Sequence, residues 1–170
     1  MNYNFSKKIL TLYGIGFINF FPGTLASFFT CAIFYIFWLF IGLKDYQLLI
    51  YIFLISIFFY SIIFINKIYK NEDSKEIVID EFVGQSIPIM SFYYLYNSED
   101  FNFFSDLVGN NRFESWIILS FFLFRFFDIL KPFPINLIDN KIKNGFGVMF
   151  DDVLAGIYSA ISLYIIFIWI

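Results

Sequence analysis

Apolar residues along this chain gather into runs that charged residues close off. Ahead of the five that matter, a short stretch, Ile9 to Phe21, follows Lys7 and Lys8, is interrupted by Gly14, Gly16 and Asn19, and is too short to cross a bilayer. Thr24 to Leu43 comes next, closed by Lys44-Asp45, and then Tyr46 to Ile65, closed by Asn66-Lys67. Each has the roughly 20 residues that about 30 Å of hydrocarbon requires. A polar connector, Lys67 to Glu76, leads to a third run, Phe82 to Tyr96, which holds Gln85, Ser86 and Pro88. By length it fits either a short span or a re-entrant segment. Asn97 to Arg112 is polar and rich in asparagine. The fourth run, Trp116 to Leu130, carries Arg125 and Asp128 in its last turns and stops at Lys131-Pro132. The fifth, Val153 to Ile170, follows Asp151-Asp152. The pattern predicts an all-α, polytopic membrane helix bundle of about five helices, the third one short, in a single membrane-embedded domain over 1–170.

Composition agrees with that reading. Of 170 residues 60% are hydrophobic and only 15% charged, against about 45–50% and 25% in soluble domains. The net charge of −3 gives no basic footprint for nucleic acid. Lysines ahead of an apolar run also occur in signal peptides, but here the hydrophobicity continues through Pro22-Gly23 for about another span length. There is no histidine, and the single cysteine, Cys31, lies inside an apolar run. Ser-His-Asp triads, His-ligated zinc and intramolecular disulfides are therefore excluded. Carboxylates, lysines, arginines and hydroxyls remain for chemistry.

If all five runs span, Lys7, Lys8, Lys67, Lys70, Lys75, Arg125, Lys131, Lys141 and Lys143 share one face, and Lys44 and Arg112 the other. The positive-inside rule makes the first face cytoplasmic, with the N-terminus inside and Ile170 outside. The same arrangement puts Asp80 and Glu81 at the start of the third span, Asp128 at the end of the fourth, and Asp151 and Asp152 at the start of the fifth, all on the cytoplasmic side. A re-entrant third run would put Asp80 and Asp128 on opposite faces.

Acids at a helix start cap it and complement its dipole, but ionisable residues at the edge of hydrocarbon are costly and usually functional. Gly84, four residues after Asp80, lies on the same helical face and leaves room beside it. Arg125 and Asp128, three apart, can form an ion pair along the helix; alternatively Arg125 and Lys131 hold a phosphate, the one bidentately and the other as a point charge. Adjacent Asp151 and Asp152 repel unless a cation or proton separates them. Asp80, Glu81, Asp128, Asp151 and Asp152 together make an oxygen-only donor set, which suits Mg²⁺ and not zinc. Pro22-Gly23-Thr24 reads as a helix start whose free N–H groups at Gly23 and Thr24 can receive an anion.

Four stretches, GIGFINFFPGTLAS from Gly14, IVIDEFVGQ from Ile77, FLFRFFDILKPFPINLID from Phe122 and GFGVMFDDVLAGIYSA from Gly145, resemble the phosphatidylglycerophosphatase A family. The resemblance implies a Mg²⁺-dependent integral membrane phosphatase that takes the terminal phosphate from phosphatidylglycerophosphate, leaving phosphatidylglycerol. On that reading Asp80, Glu81, Asp128 and Asp152 are catalytic, Arg125, Lys131, Gly23 and Thr24 bind phosphate, and the active site faces the cytoplasmic side of the inner membrane. Rival readings are a small cation or proton transporter and a lipid head-group phosphotransferase. The first two long runs carry no charged residue, which counts against an ion path through the bundle.

Overall fold

The computed structural model describes residues 3–69, 74–95 and 112–169. Among them the chain forms α1 (Tyr3–Leu10), a 3₁₀ segment (Leu12–Phe17), α2 (Pro22–Phe40), a 3₁₀ turn (Leu43–Tyr46), α3 (Gln47–Ile68), α4 (Ile79–Leu95), α5 (Arg112–Leu130), α6 (Ile135–Lys141) and α7 (Gly145–Trp169), with no strand. The asparagine-rich stretch falls almost wholly outside the described residues.

Each of the five apolar runs is a helix, but they are not equivalent. Three stretches, Pro22–Phe40, Gln47–Ile68 and Gly145–Phe167, are long and apolar enough to cross a membrane. The expected count of about five is not clearly met: the described residues form seven α-helices, of which these three have the length and apolarity of a span. α4 has 17 residues and opens on Asp80 and Glu81; α5 carries Glu114, Arg125 and Asp128. Packing supplies the reason. α4 is the central helix, touching α2, α3, α5 and above all α7. Buried on nearly every side, it has no lipid-facing stripe to fill and tolerates Gln85 and Ser86 at its middle. α3 is the opposite case: few of its residues are buried, and Leu48, Phe59 and Ile63 face outward, as lipid contact requires.

The last helix begins earlier than the apolar run implies. Asn144 Oδ1 accepts the N–H groups of Phe146 at 3.0 Å and Gly147 at 3.1 Å, an N-terminal cap that starts α7 at Gly145. Asp151 and Asp152 consequently lie inside the helix, where neither caps it, and the expected start at Val153 is corrected.

The α4–α7 crossing places the site. A Cβ on Gly84 would lie 2.6 Å from the Asp152 carbonyl oxygen and 2.7 Å from the Phe124 ring, and one on Gly156 would overlap the Gly84 carbonyl oxygen. That carbonyl is the one Pro88, having no N–H, cannot engage within α4. Two small residues and a freed carbonyl thus let the backbones touch, the close approach on which helix pairs in lipid depend. Away from this crossing, Trp38, Phe92, Phe113, Trp116 and Phe167 interlock, with Trp38 stacked on Phe113 at 4.4 Å and Trp116 against Phe167 at 4.6 Å. The Trp116 indole N–H donates to the Pro88 carbonyl at 2.7 Å, satisfying a polar group that burial would otherwise orphan.

Candidate active site

A cavity of about 260 Å³ is lined by residues from the starts of α2, α4 and α7, the end of α5, the turn before α4 and the α6 region. Asp80 and Asp128 line it together, so the start of α4 and the end of α5 meet at the same end of the bundle. Asp80, Glu81, Asp151 and Asp152 line the same space.

Within the cavity the five expected acids divide into two kinds. Asp80, Glu81 and Asp152 each offer a carboxylate oxygen, and these oxygens lie within 4.8 Å of one another. Glu81 Oε2 is buried with no hydrogen-bond partner. Three carboxylates this close repel unless a proton or cation lies among them, and an all-oxygen donor set matches Mg²⁺. Asp128 and Asp151 hold side-chain cations instead. Asp128 Oδ2 is 2.6 Å from Arg125 Nη1, the ion pair that the three-residue spacing allows. Asp151 Oδ2 accepts from Lys131 Nζ at 2.7 Å.

Of the residues expected to bind phosphate, Arg125 and Thr24 do not line the cavity. Arg125 stands behind the cavity wall, against Asp128 and Gly23. At the start of α2, the place for an incoming anion is filled by the protein's own Glu81: a Cβ on Gly23 would overlap Glu81 Oε1. Gly23 lines the cavity and Thr24 does not. A helix N-terminus favours any carboxylate, and here the carboxylate comes from α4. Phe21, in the left-handed region at φ 49°, caps α2 and turns Pro22-Gly23 under that acid.

Lys131 does line the cavity, held by a partner the sequence reading missed. Its ammonium bridges Asp151 and Asp139, the latter at 2.9 Å. Burial disfavours its charge, but the hydrogen bonds and proximity of the two aspartates outweigh this and hold its pKa above the usual lysine range. The geometry comes from the backbone. Lys131 adopts φ 42° directly after α5, and its N–H closes the helix on the Phe127 carbonyl at 2.9 Å. This left-handed position, usually glycine's, turns the chain into α6, which carries Asp139. The signal was present in the sequence, since the third resembling stretch ends on Asp139. Lys75, Ser74 and Lys143 also line the cavity unanticipated.

A family model described as Phosphatidylglycerophosphatase A matches residues 8–167. A phosphatidylglycerophosphatase A from Haemophilus influenzae is 43% identical over 102 residues, covering 57% of this chain and 49% of that protein. A putative phosphatidylinositol-3-phosphatase from Bacteroides thetaiotaomicron is 39% identical over 92 residues, 54% of this chain and 48% of that one. A phosphatidylglycerophosphatase A from Escherichia coli is 34% identical over 94 residues, 55% and 45%. The alignments thus take in about half the length of these curated relatives. No solved structure matches the chain.

Proposed function

Because the chain belongs to the phosphatidylglycerophosphatase A family, we propose that it removes the terminal phosphate of phosphatidylglycerophosphate at the cytoplasmic surface of the inner membrane, a step of phospholipid biosynthesis. The observation that carries this reading is the meeting of Asp80, Glu81 and Asp152 beside a lysine held in place by two aspartates. Those three acids are the residues that would hold Mg²⁺, which when bound neutralises phosphate charge and makes water a better nucleophile. Lys131 presents a fixed positive charge to the phosphoryl group as negative charge builds on it. Arg125 and Gly23 act on Glu81 from behind: the glycine gives the carboxylate its place and the arginine balances it and Asp128. The head-group phosphotransferase reading uses the same groups and differs only in the acceptor.

Phosphate release from phosphatidylglycerophosphate by purified protein in detergent tests this directly. Activity with Mg²⁺ that disappears in EDTA and returns on Mg²⁺ addition is expected, with phosphatidylglycerol as the lipid product. Equal turnover in EDTA would remove the metal from the reading, and a lipid product carrying a new head-group ester would favour the transferase. Gly23→Ala is expected to cut phosphate release by about 10- to 100-fold, roughly 1.4–2.8 kcal/mol of transition-state stabilisation, because the methyl must push Glu81 aside. Thermal unfolding should move little by comparison; a wild-type rate in this variant would show that Glu81 needs no fixed seat.

We also read α2, α3, α4, α5 and α7 as five spans, α4 being shielded by its neighbours and served by local thinning of the bilayer. In a Cys31→Ala background, a cysteine introduced at position 102 should react with impermeant reagent only from outside. Labelling from the cytoplasmic side alone would exclude the five-span topology.

A further inference from the structure

Six carboxylates and three lysines line the cavity, and the lysines are not alike. Lys131 is spent on Asp139 and Asp151. Lys75 and Lys143 are exposed and form no ion pair among the described residues. Mobile lysines facing a surplus of acids ordinarily settle on one; these two stay apart from all six while lining the same space.

Each is also carried on fixed backbone. The Lys143 loop is pinned on its C-terminal side, where the Gly145 N–H donates to Asn66 Oδ1 at 2.6 Å and Asn144 caps α7. Gly147 closes it by packing on the Ile142 carbonyl. Lys75 sits in the turn closed by the Ile77 N–H on the Ser74 carbonyl at 2.9 Å. Its neighbour Glu76 is tied to Lys7 at 3.0 Å and accepts from the Tyr69 hydroxyl at 3.3 Å. The backbones that carry the two ammonium groups are therefore set before any ligand arrives, which lowers the entropy cost of binding one.

We infer that Lys75 and Lys143 form a second anion subsite, which takes the phosphodiester of a lipid whose cleavable phosphomonoester lies among the acids. This rests on the proposed phosphatase reading and deepens it by assigning to Lys75 and Lys143 the recognition of the substrate's second phosphate, the group that a one-phosphate lipid lacks. Lysine suits the outer position because a phosphodiester carries one diffuse charge and needs attraction without bidentate geometry. Selectivity then comes from a group that a one-phosphate lipid leaves unpaired.

The test compares phosphatidylglycerophosphate with phosphatidic acid, in matched detergent micelles with Mg²⁺, for wild type, Lys143→Gln, Lys75→Gln and the double variant. The ratio of kcat/KM for the two-phosphate over the one-phosphate lipid is expected to fall about tenfold in the double variant, through KM. An unchanged ratio overturns the subsite, as does an equal loss on both lipids. A second measurement separates this idea from the phosphatase reading: binding of the deacylated two-phosphate head group and of glycerol 3-phosphate, followed by the shift in unfolding temperature. Wild type should favour the two-phosphate compound and the double variant should not. Protein that releases phosphate from neither lipid yet shows this preference loses the proposed reaction and keeps the subsite; equal binding of both compounds by wild type overturns the subsite whatever the turnover.

Discussion

Asp80→Asn and Asp152→Asn should each lower phosphate release from phosphatidylglycerophosphate by about a thousandfold, on the order of 4 kcal/mol of transition-state stabilisation. Both residues belong to the three-carboxylate group whose oxygens lie within 4.8 Å of one another. Amides keep the shape and remove the charge, so the pocket loses the anionic oxygens that a hard divalent ion requires. Unfolding temperature in the absence of divalent metal should hold or rise in both variants, since each relieves repulsion among the acids. Calorimetric binding of Mg²⁺ or Mn²⁺ should weaken in parallel with the rate. Asp151→Asn should behave differently, because Asp151 holds Lys131 and stands outside that group. Its loss should be about tenfold to a hundredfold, with metal binding nearly retained. If Asp151→Asn abolished metal binding and Asp152→Asn spared it, the division of the acids into two kinds would be wrong.

Gly84→Leu should prevent formation of the native bundle. Even the first carbon of the new side chain would meet the Asp152 carbonyl oxygen at 2.6 Å and the Phe124 ring at 2.7 Å, and α7 offers backbone there, not a flexible side-chain tip. Overpacking a core typically costs about 1–3 kcal/mol; forcing apart the most extensive helix pair among the described residues should exceed that. The expected result is a protein that elutes as aggregate after detergent extraction or unfolds well below wild type. Gly84→Ala separates fold from site: it should remain folded but with Asp152 displaced from Asp80 and Glu81, so that metal binding and turnover fall more than stability does. A monodisperse, fully active Gly84→Leu protein would mean that α4 and α7 do not cross where this structure places them.

The alternation of apolar runs and charges determined much of this protein unaided. Hydrocarbon thickness fixes the length of a span and the cost of burying charge fixes where a span ends, so the all-helical fold and the three long apolar helices α2, α3 and α7 follow from one-dimensional information. The Arg125–Asp128 pair was one of two readings that helical spacing left open for Arg125, and it is the one the structure contains. Tertiary structure alone decided which acids meet. Spacing defines faces within one helix but not the rotation of one helix against another, and each residue of rotation turns a side chain about 100° around the axis. That rotation is set by the Gly84–Gly156 crossing, which selects Asp152 over Asp151 as the neighbour of Asp80 and Glu81. The packing of Glu81 on Gly23, and the return of Asp139 to Lys131 through a left-handed turn, depend likewise on contacts between elements distant in sequence or on a conformation that residue type disfavours. The residue types announced the chemistry; the helix crossings sorted those residues into the ones that meet and the ones that hold them in place.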